Sequence, residues 1–151
     1  LEPFRVKGPV QSPEPLPYLQ QKGAKAFDIN LEVAIQPENE VETVVSRSNF
    51  KYMYWSMAQQ LAHHTINGCR VNSGDMMGSG TISGPTEDSF GSMLELSWGG
   101  QKPLKMNDGS ERKFINDNDT VIIRGFCQKD NLRIGFGEVS SKLLPAVELK
   151  F

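Results

Sequence analysis

One candidate for chemistry in this sequence is a hydroxyl within a glycine-rich run. Thr81 lies in the run Gly80-Thr81-Ile82-Ser83-Gly84, shortly after Gly74-Asp75. Glycines weaken a strand and often mark places where the backbone approaches a ligand or another chain closely. The threonine hydroxyl can donate to a ligand oxygen and accept from a ligand donor. The pattern predicts that Thr81 contacts a ligand, and the alternative is a bulged strand edge without such a role.

The second candidate is the one carboxylate within an apolar run. Residues 89–98 read Ser-Phe-Gly-Ser-Met-Leu-Glu-Leu-Ser-Trp, and we predict a strand from Met93 to Trp98. Strict alternation would place Glu95 on the face shared by Met93 and Ser97. An ionised carboxylate is unfavourable to bury unless it is paired or hydrogen-bonded, and a buried carboxyl group suits proton handling. Glu95 is therefore a candidate catalytic residue, with a solvent-facing strand glutamate as the alternative.

A third feature is the pair of adjacent histidines, His63 and His64. Neighbouring side chains on a helix point about 100° apart, so the two rings are poorly placed to chelate one metal ion together. His64 falls on an apolar stripe with Met57 and Leu61 and is predicted to be a hydrogen-bonded core residue. His63 is predicted to be exposed. Neither histidine is assigned to catalysis.

The elements that must position these residues are mostly short strands. Residues 27–35 alternate apolar and polar side chains, which predicts a half-buried strand, and residues 42–47 are predicted to return beside it. Apolar residues at steps of three and four after Ser48 predict one prominent helix at about residues 50–67. Further strands are predicted at residues 76–83, 93–98, 104–106, 113–115, 120–127 and 133–139. The predicted fold class is α+β, β-rich, with one central helix.

Prolines divide the chain into two parts. Residues 1–26 hold five of the nine prolines, including the alternating Pro13, Pro15 and Pro17. Such spacing removes backbone donors and favours extended chain. We therefore predict a Pro-rich extended arm at residues 1–26 and a domain at residues 27–151. The chain also begins without Met, so we expect it to be a fragment of a larger protein.

Composition excludes several classes of partner. The net charge is −2 and the pI is about 5.7, and no dense basic stripe is present, so neither nucleic acid nor an anionic membrane surface is an expected partner. No stretch approaches the roughly 20 apolar residues of a membrane helix. Cys69 and Cys127 are not part of a CxxC motif, and we predict two reduced thiols, buried or half-buried, in the cytosol.

The runs around Thr81 and Glu95 closely resemble the C-terminal portion of the catalytic domain in the fumarylacetoacetate hydrolase family. The Gly-Asp and Gly-Thr runs are shared widely in that family, whereas the long run at residues 89–98 is more specific. The resemblance covers almost all of the chain beyond about residue 14. It also includes Leu16-Pro17-Tyr18-Leu19, Phe27-Asp28-Ile29-Asn30-Leu31, Arg47-Ser48-Asn49-Phe50-Lys51, Met53-Tyr54-Trp55, Gln59-Gln60-Leu61, His63-His64, Gly135-Phe136-Gly137 and Leu144-Pro145-Ala146.

This resemblance implies a fold and an activity. It implies a mixed β-roll or sandwich of a cytosolic homodimer that hydrolyses a carbon–carbon bond in fumarylacetoacetate, giving fumarate and acetoacetate, the last step of tyrosine catabolism. In that reaction water attacks a ketone carbonyl and a carbon leaves as an enolate-like anion. A general base, donors for the oxyanion and a cation are required. The cation implied is Mg²⁺ or Ca²⁺, held by acidic residues.

The resemblance also implies roles for the two candidate residues. Glu95 matches the glutamate that partners, orients and stabilises the catalytic histidine, and Thr81 matches a substrate-contacting threonine. The family's metal ligands, catalytic histidine and assisting Arg, Gln and Lys match no position here, and we expect them in sequence upstream. Residues 1–151 alone are therefore expected to bind no metal and to be inactive.

Two other interpretations stay open at this point. An acylpyruvate hydrolase or β-keto acid decarboxylase of the same superfamily would share the metal and the fold but differ in pocket lining, and the run at residues 89–98 argues against it. A non-catalytic β-rich module for binding or dimerisation is also compatible with the glycine-rich run and with Trp55. Sequence upstream of Leu1 would discriminate, because acidic ligands with a histidine there would support the enzyme.

Overall fold

Short antiparallel strands make up most of the regular structure. The computed structural model describes residues 1–148, and residues 149–151 of the predicted domain lie outside the described residues. The strands are β1 (Arg5–Val6), β2 (Ala26–Phe27), β3 (Asn30–Gln36), β4 (Thr43–Asn49), β5 (Leu104–Lys105), β6 (Glu111–Arg112), β7 (Thr120–Lys129) and β8 (Leu132–Lys142). The helices are α1 (Met57–Thr65) and α2 (Met93–Leu96), with 3₁₀ turns at Glu2–Phe4, Pro17–Leu19, Phe50–Tyr52 and Glu87–Ser89. The predicted α+β, β-rich class is confirmed.

The largest sheet has four antiparallel strands in the order β4-β3-β7-β8. Strand β3 lies between β4 and β7, and its Ala34 and Ile35 are 0% and 1% exposed. Alternating apolar and polar residues predicted β3, and β-branched residues predicted that β4 returns beside it. The four predicted strands of this sheet form, but with different bounds. Strand β3 begins at Asn30 and not at residue 27, β4 ends at Asn49 and not at residue 47, and β7 and β8 extend further than expected. The predicted hairpin after residue 104 also forms, as β5 and β6, with its second arm two residues earlier than expected.

The two strands predicted at residues 76–83 and 93–98 are wrong. The first region has no regular structure, and Gly80 within it has a φ angle of +77°, which a continuous strand does not accommodate. The second region contains α2, because the Ser92 side chain accepts a hydrogen bond from the Glu95 backbone N–H and caps a helix. Glu95 therefore lies in the first turn of a helix, not on a strand face.

The central helix is shorter than the predicted span of about 50–67. Helix α1 begins after Ser56, whose hydroxyl accepts from the Gln59 N–H at 3.2 Å while the Gln59 side chain accepts from the Ser56 N–H at 2.9 Å. This reciprocal capping box fixes the start of the helix. Its buried residue is Gln59, not the apolar stripe, because the Gln59 amide also donates to the Leu19 carbonyl at 2.7 Å. None of the helices within residues 1–148 combines the length and hydrophobicity needed to cross a lipid bilayer.

The N-terminal residues close one end of the core. Phe4 is 2% exposed and packs with Ile29 and Cys127, which is fully buried. The Phe4 carbonyl accepts from the Asp28 N–H at 2.8 Å, and β1 pairs with β2. Desolvation by burial raises the pKa of the Cys127 thiol. Cys127 is thus a reduced buried thiol as predicted, whereas Cys69 is exposed, contrary to prediction.

A buried ion pair holds the hairpin of β5 and β6 to the start of β7. Asp119 is 1% exposed, and its two carboxylate oxygens accept from Arg112 Nε at 2.8 Å and from Arg112 Nη2 at 2.9 Å. The Asn116 N–H donates a third hydrogen bond to this carboxylate at 2.9 Å. Bidentate pairing and a backbone donor offset the unfavourable desolvation of both charges.

Candidate active site

Thr81 and Glu95 line the same groove. Its volume is about 580 Å³, and its remaining walls come from the segment after β4, from the glycine-rich run and from the start of α2: Tyr52, Met53, Tyr54, Trp55, Ile82, Ser83, Ser92 and Leu94. Aromatic and aliphatic walls with a few polar groups are typical of small-molecule sites. The structure therefore brings together the two residues that the sequence singled out.

The segment that carries Thr81 is held against the segment that carries Glu95 by a tight turn. The Gly84 N–H donates to the Ser89 carbonyl at 2.8 Å, and the Ser89 N–H donates to the Thr86 carbonyl at 2.9 Å. The Ser46 hydroxyl on β4 donates to the Phe90 carbonyl at 2.7 Å. The main sheet thereby anchors the turn, and the turn sets the position of both candidate residues.

The Glu95 carboxylate is hydrogen-bonded to two serine hydroxyls. The Ser83 Oγ lies 2.9 Å from Glu95 Oε1 and 2.9 Å from Glu95 Oε2, and the Ser92 Oγ donates to Oε2 at 2.8 Å. Glu95 is half-buried. The carboxylate is therefore oriented by neutral donors, which leave its negative charge in place. This arrangement suits a group that orients a cationic or proton-accepting partner in the groove.

Thr81 is more exposed in the groove than Glu95. The residue is exposed, and its methyl Cγ2 faces Gly91. An added Cβ at Gly91 would lie 2.7 Å from Thr81 Cγ2 and 2.7 Å from the Ile82 carbonyl oxygen. Glycine at this position is what allows the two segments to approach so closely.

The Gly91→Ala variant is expected to destabilise the protein by about 1–3 kcal/mol, since the new methyl group overlaps backbone atoms that cannot rotate away. Urea unfolding measures the change. Gly78→Ala is the matched control, because an added Cβ there meets nothing within 4 Å and neither glycine has a positive φ angle. Equal unfolding midpoints for the two variants would contradict the close approach described for Gly91.

Neither His63 nor His64 lines the groove that contains Thr81 and Glu95. His63 is exposed as predicted and lines a neighbouring groove of about 460 Å³, where its Nδ1 is 3.0 Å from the Tyr18 hydroxyl. His64 is exposed, so its prediction as a core residue is wrong. The apolar stripe on which that prediction rested is itself exposed, with Met57 and Leu61 at 44% and 43%.

The described residues do not supply a metal site. Within residues 1–148, no three side chains of His, Cys, Asp or Glu converge as ligands. A divalent cation prefers several carboxylate or carbonyl oxygens together, and Glu95 alone does not meet that requirement.

Sequence reasoning missed Ser83 and Ser92 as partners of Glu95. One signal was available: Ser92 and Glu95 form the spacing S-x-x-E that typically begins a helix. Ser83 has no comparable local signal, because it reaches Glu95 only through the turn between them. Tyr52, on the 3₁₀ turn after β4, was likewise not identified as a wall of the site.

The sequence is closely similar to that of known proteins over nearly its whole length. The family model described as "Fumarylacetoacetate (FAA) hydrolase C-terminal" matches residues 3–143. A fumarylacetoacetase of Dictyostelium discoideum is 54% identical over 149 residues, which cover 97% of this chain and 35% of that protein. Fumarylacetoacetases of Homo sapiens and Arabidopsis thaliana are 53% and 48% identical, each over 97% of this chain and 35% of their own length. The chain thus spans about a third of the length of the curated relatives it matches, and it belongs to the fumarylacetoacetate hydrolase family.

Proposed function

We propose that the full-length protein hydrolyses fumarylacetoacetate to fumarate and acetoacetate, as the last step of tyrosine and phenylalanine catabolism. One observation carries the proposal. Thr81 and Glu95 line a single groove in a chain about half of whose residues are identical to those of proteins named fumarylacetoacetase. Such identity over nearly the whole chain favours this substrate over those of other hydrolases in the superfamily.

The side chains of this chain would contribute binding and orientation. We propose that the exposed Thr81 hydroxyl contacts an oxygen of the substrate in the groove. Glu95 would orient a histidine from another part of the full-length protein and stabilise that histidine after it takes a proton from water. An acidic partner of this kind holds the imidazole in one tautomer and favours its charged form. The apolar walls around Tyr52, Trp55 and Leu94 would limit access of bulk water.

Metal, assembly and location complete the proposal. The full-length enzyme would use Mg²⁺ or Ca²⁺, with ligands from outside this chain, to steady the departing acetoacetate. It would be a cytosolic homodimer. The unpaired thiols of Cys69 and Cys127 are compatible with a reducing compartment. Exposed apolar side chains such as Trp98 and Phe136, each 51% exposed, are compatible with contacts to further protein surface.

The test is turnover by the purified full-length protein with Mg²⁺ or Ca²⁺ present. Fumarylacetoacetate is expected to be cleaved, with loss of its absorbance and appearance of fumarate, at a kcat/KM well above that for acylpyruvates. Residues 1–151 alone are the control and are expected to be inactive. Preference for acylpyruvates, or decarboxylation of a β-keto acid, would replace the proposed substrate by that of the alternative enzyme.

A further inference from the structure

We propose that Ser83, together with Ser92, is a positioning residue that fixes the Glu95 carboxylate for its partner in the active site. The inference rests on the proposed function, because it concerns how Glu95 acts there. Neither serine is assigned a role by the resemblance described above. Hydrogen bonds join the three side chains, which come from two separate segments of the chain.

Backbone donors determine the direction of the two hydroxyl protons. The Ser83 Oγ accepts a hydrogen bond from the Gly91 N–H at 3.1 Å, and the Ser92 Oγ accepts from the Glu95 N–H at 3.3 Å. A serine hydroxyl has one proton and two acceptor lone pairs. Because a backbone donor occupies the acceptor side of each oxygen, each hydroxyl proton is directed toward the Glu95 carboxylate.

The two serines together restrict the rotation of the Glu95 carboxylate. A carboxylate held at one point still rotates about its last torsion, which is a broad one. Ser83 lies 2.9 Å from both oxygens, and Ser92, the residue directly before α2, lies 2.8 Å from Oε2. Two donors on different segments therefore restrict this rotation. Among residues 1–148, Oε1 accepts from Ser83 alone, so it keeps more acceptor capacity than Oε2 for a further donor.

The serines differ from an Arg or Lys partner of Glu95 because they carry no charge. An Arg or Lys partner would orient the carboxylate but would also compete with a histidine for its negative charge. Serine hydroxyls orient it and leave the full charge available. Residues that orient a functional group in this way typically change activity by about 10- to 100-fold when removed, as second-layer partners of metal-binding histidines do. We expect an effect of this order at Ser83.

Ser83 is the better residue for a test than Ser92. The Ser92 hydroxyl also caps α2, so its removal would change helix stability as well as the carboxylate. Ser83 lies outside any helix or strand, and Ser83→Ala removes one oxygen atom. Ser79 provides the matched control. Its hydroxyl donates to the adjacent Gly80 carbonyl, and the residue directly precedes the glycine-rich run.

The experiment uses the full-length protein and its hydrolysis of fumarylacetoacetate. We compare wild type with Ser83→Ala, Ser83→Thr and Ser79→Ala, and we repeat Ser83→Ala in a Glu95→Gln background. Ser83→Ala is expected to lower kcat by about 10-fold or more with little change in KM, and Ser83→Thr, which keeps a hydroxyl, is expected to recover most of it. Ser79→Ala is expected to match wild type. In the Glu95→Gln background Ser83→Ala is expected to have no further effect on kcat, since the carboxylate it orients is gone.

Several outcomes would overturn the inference. A wild-type kcat for Ser83→Ala, or the same fold loss in both backgrounds, would show that Ser83 does not act through Glu95. If Ser83→Ala lowers the thermal midpoint, Ser83→Cys replaces it, because a thiol fills the site but is a weak donor, and its kcat should fall likewise. Failure of the proposed function itself is recognised separately: wild type would not cleave fumarylacetoacetate, or Glu95→Gln would keep the wild-type kcat.

Discussion

The Glu95→Gln variant of the full-length protein is expected to lower kcat for fumarylacetoacetate by about 10²- to 10⁴-fold, the range that acid–base groups contribute. Glutamine has nearly the same shape, so the groove is expected to stay intact. It has no negative charge, however, so it cannot stabilise a histidine that has taken a proton. Steady-state kinetics with purified protein measures the change in kcat and KM.

The control for this variant is Glu87→Gln. Glu87 is an exposed glutamate in the 3₁₀ turn Glu87–Ser89, a few residues before α2, and it does not line the groove. This control is expected to keep the wild-type kcat. A Glu95→Gln enzyme as active as the control would falsify the role proposed for Glu95 and leave Thr81 as the only candidate contact from this chain.

The second large effect is expected on stability, at the buried ion pair. Asp119→Ala is expected to reduce the free energy of unfolding by about 3–5 kcal/mol, because it leaves the guanidinium of Arg112 mostly buried and unpaired. The Asn116 N–H also loses its acceptor. Urea unfolding of the full-length protein measures this, with Asp117→Ala, an exposed neighbour, as the control. A loss below about 1 kcal/mol would mean that the pair contributes no more than a surface ion pair.

The contribution of the Arg112–Asp119 pair to the free energy of unfolding is expected to fall at low pH. Burial acts to raise the pKa of Asp119, but the Arg112 hydrogen bond and the Asn116 N–H outweigh it, so the folded-state pKa lies below its ordinary value of 3.8. Stability from this carboxylate is therefore fully present above the unfolded-state pKa and is lost as the pH falls through the folded-state pKa. The stability difference between wild type and Asp119→Ala is expected to be largest near neutral pH and to shrink below about pH 4.

Much of the main sheet could be predicted from sequence, and the reason is local. Apolar residues recur at every second position in residues 27–35, and β7 has an uninterrupted apolar run near its start, Val121-Ile122-Ile123, so both patterns are visible in a short window. Helix α2 could not be predicted in the same way. Its six-residue neighbourhood alternates like a strand, but the Ser92 cap and the φ angle of +51° at Trp98 make it one helical turn followed by a sharp bend.

The sequence likewise predicts some features of the candidate site and not others. Thr81 and Glu95 could be singled out because a hydroxyl among glycines and a carboxylate among apolar residues are unusual for their surroundings. Their meeting in one groove depends on the turn that Ser46 holds to β4 from 44 positions away, and no local pattern encodes that contact. The same holds for Ser83, which reaches Glu95 across 12 positions of the chain.

The two thiols of this chain differ in a way that makes them useful as reporters. Cys69 is exposed, whereas Cys127 is fully buried beside Phe4, and the raised pKa of its thiol leaves it mostly protonated near neutral pH. Alkylating reagents attack thiolates that they can reach, so Cys69 should modify rapidly in the native protein and Cys127 only when the core that it forms with Phe4 and Ile29 opens. The rate at which Cys127 is alkylated therefore reports how often this core opens.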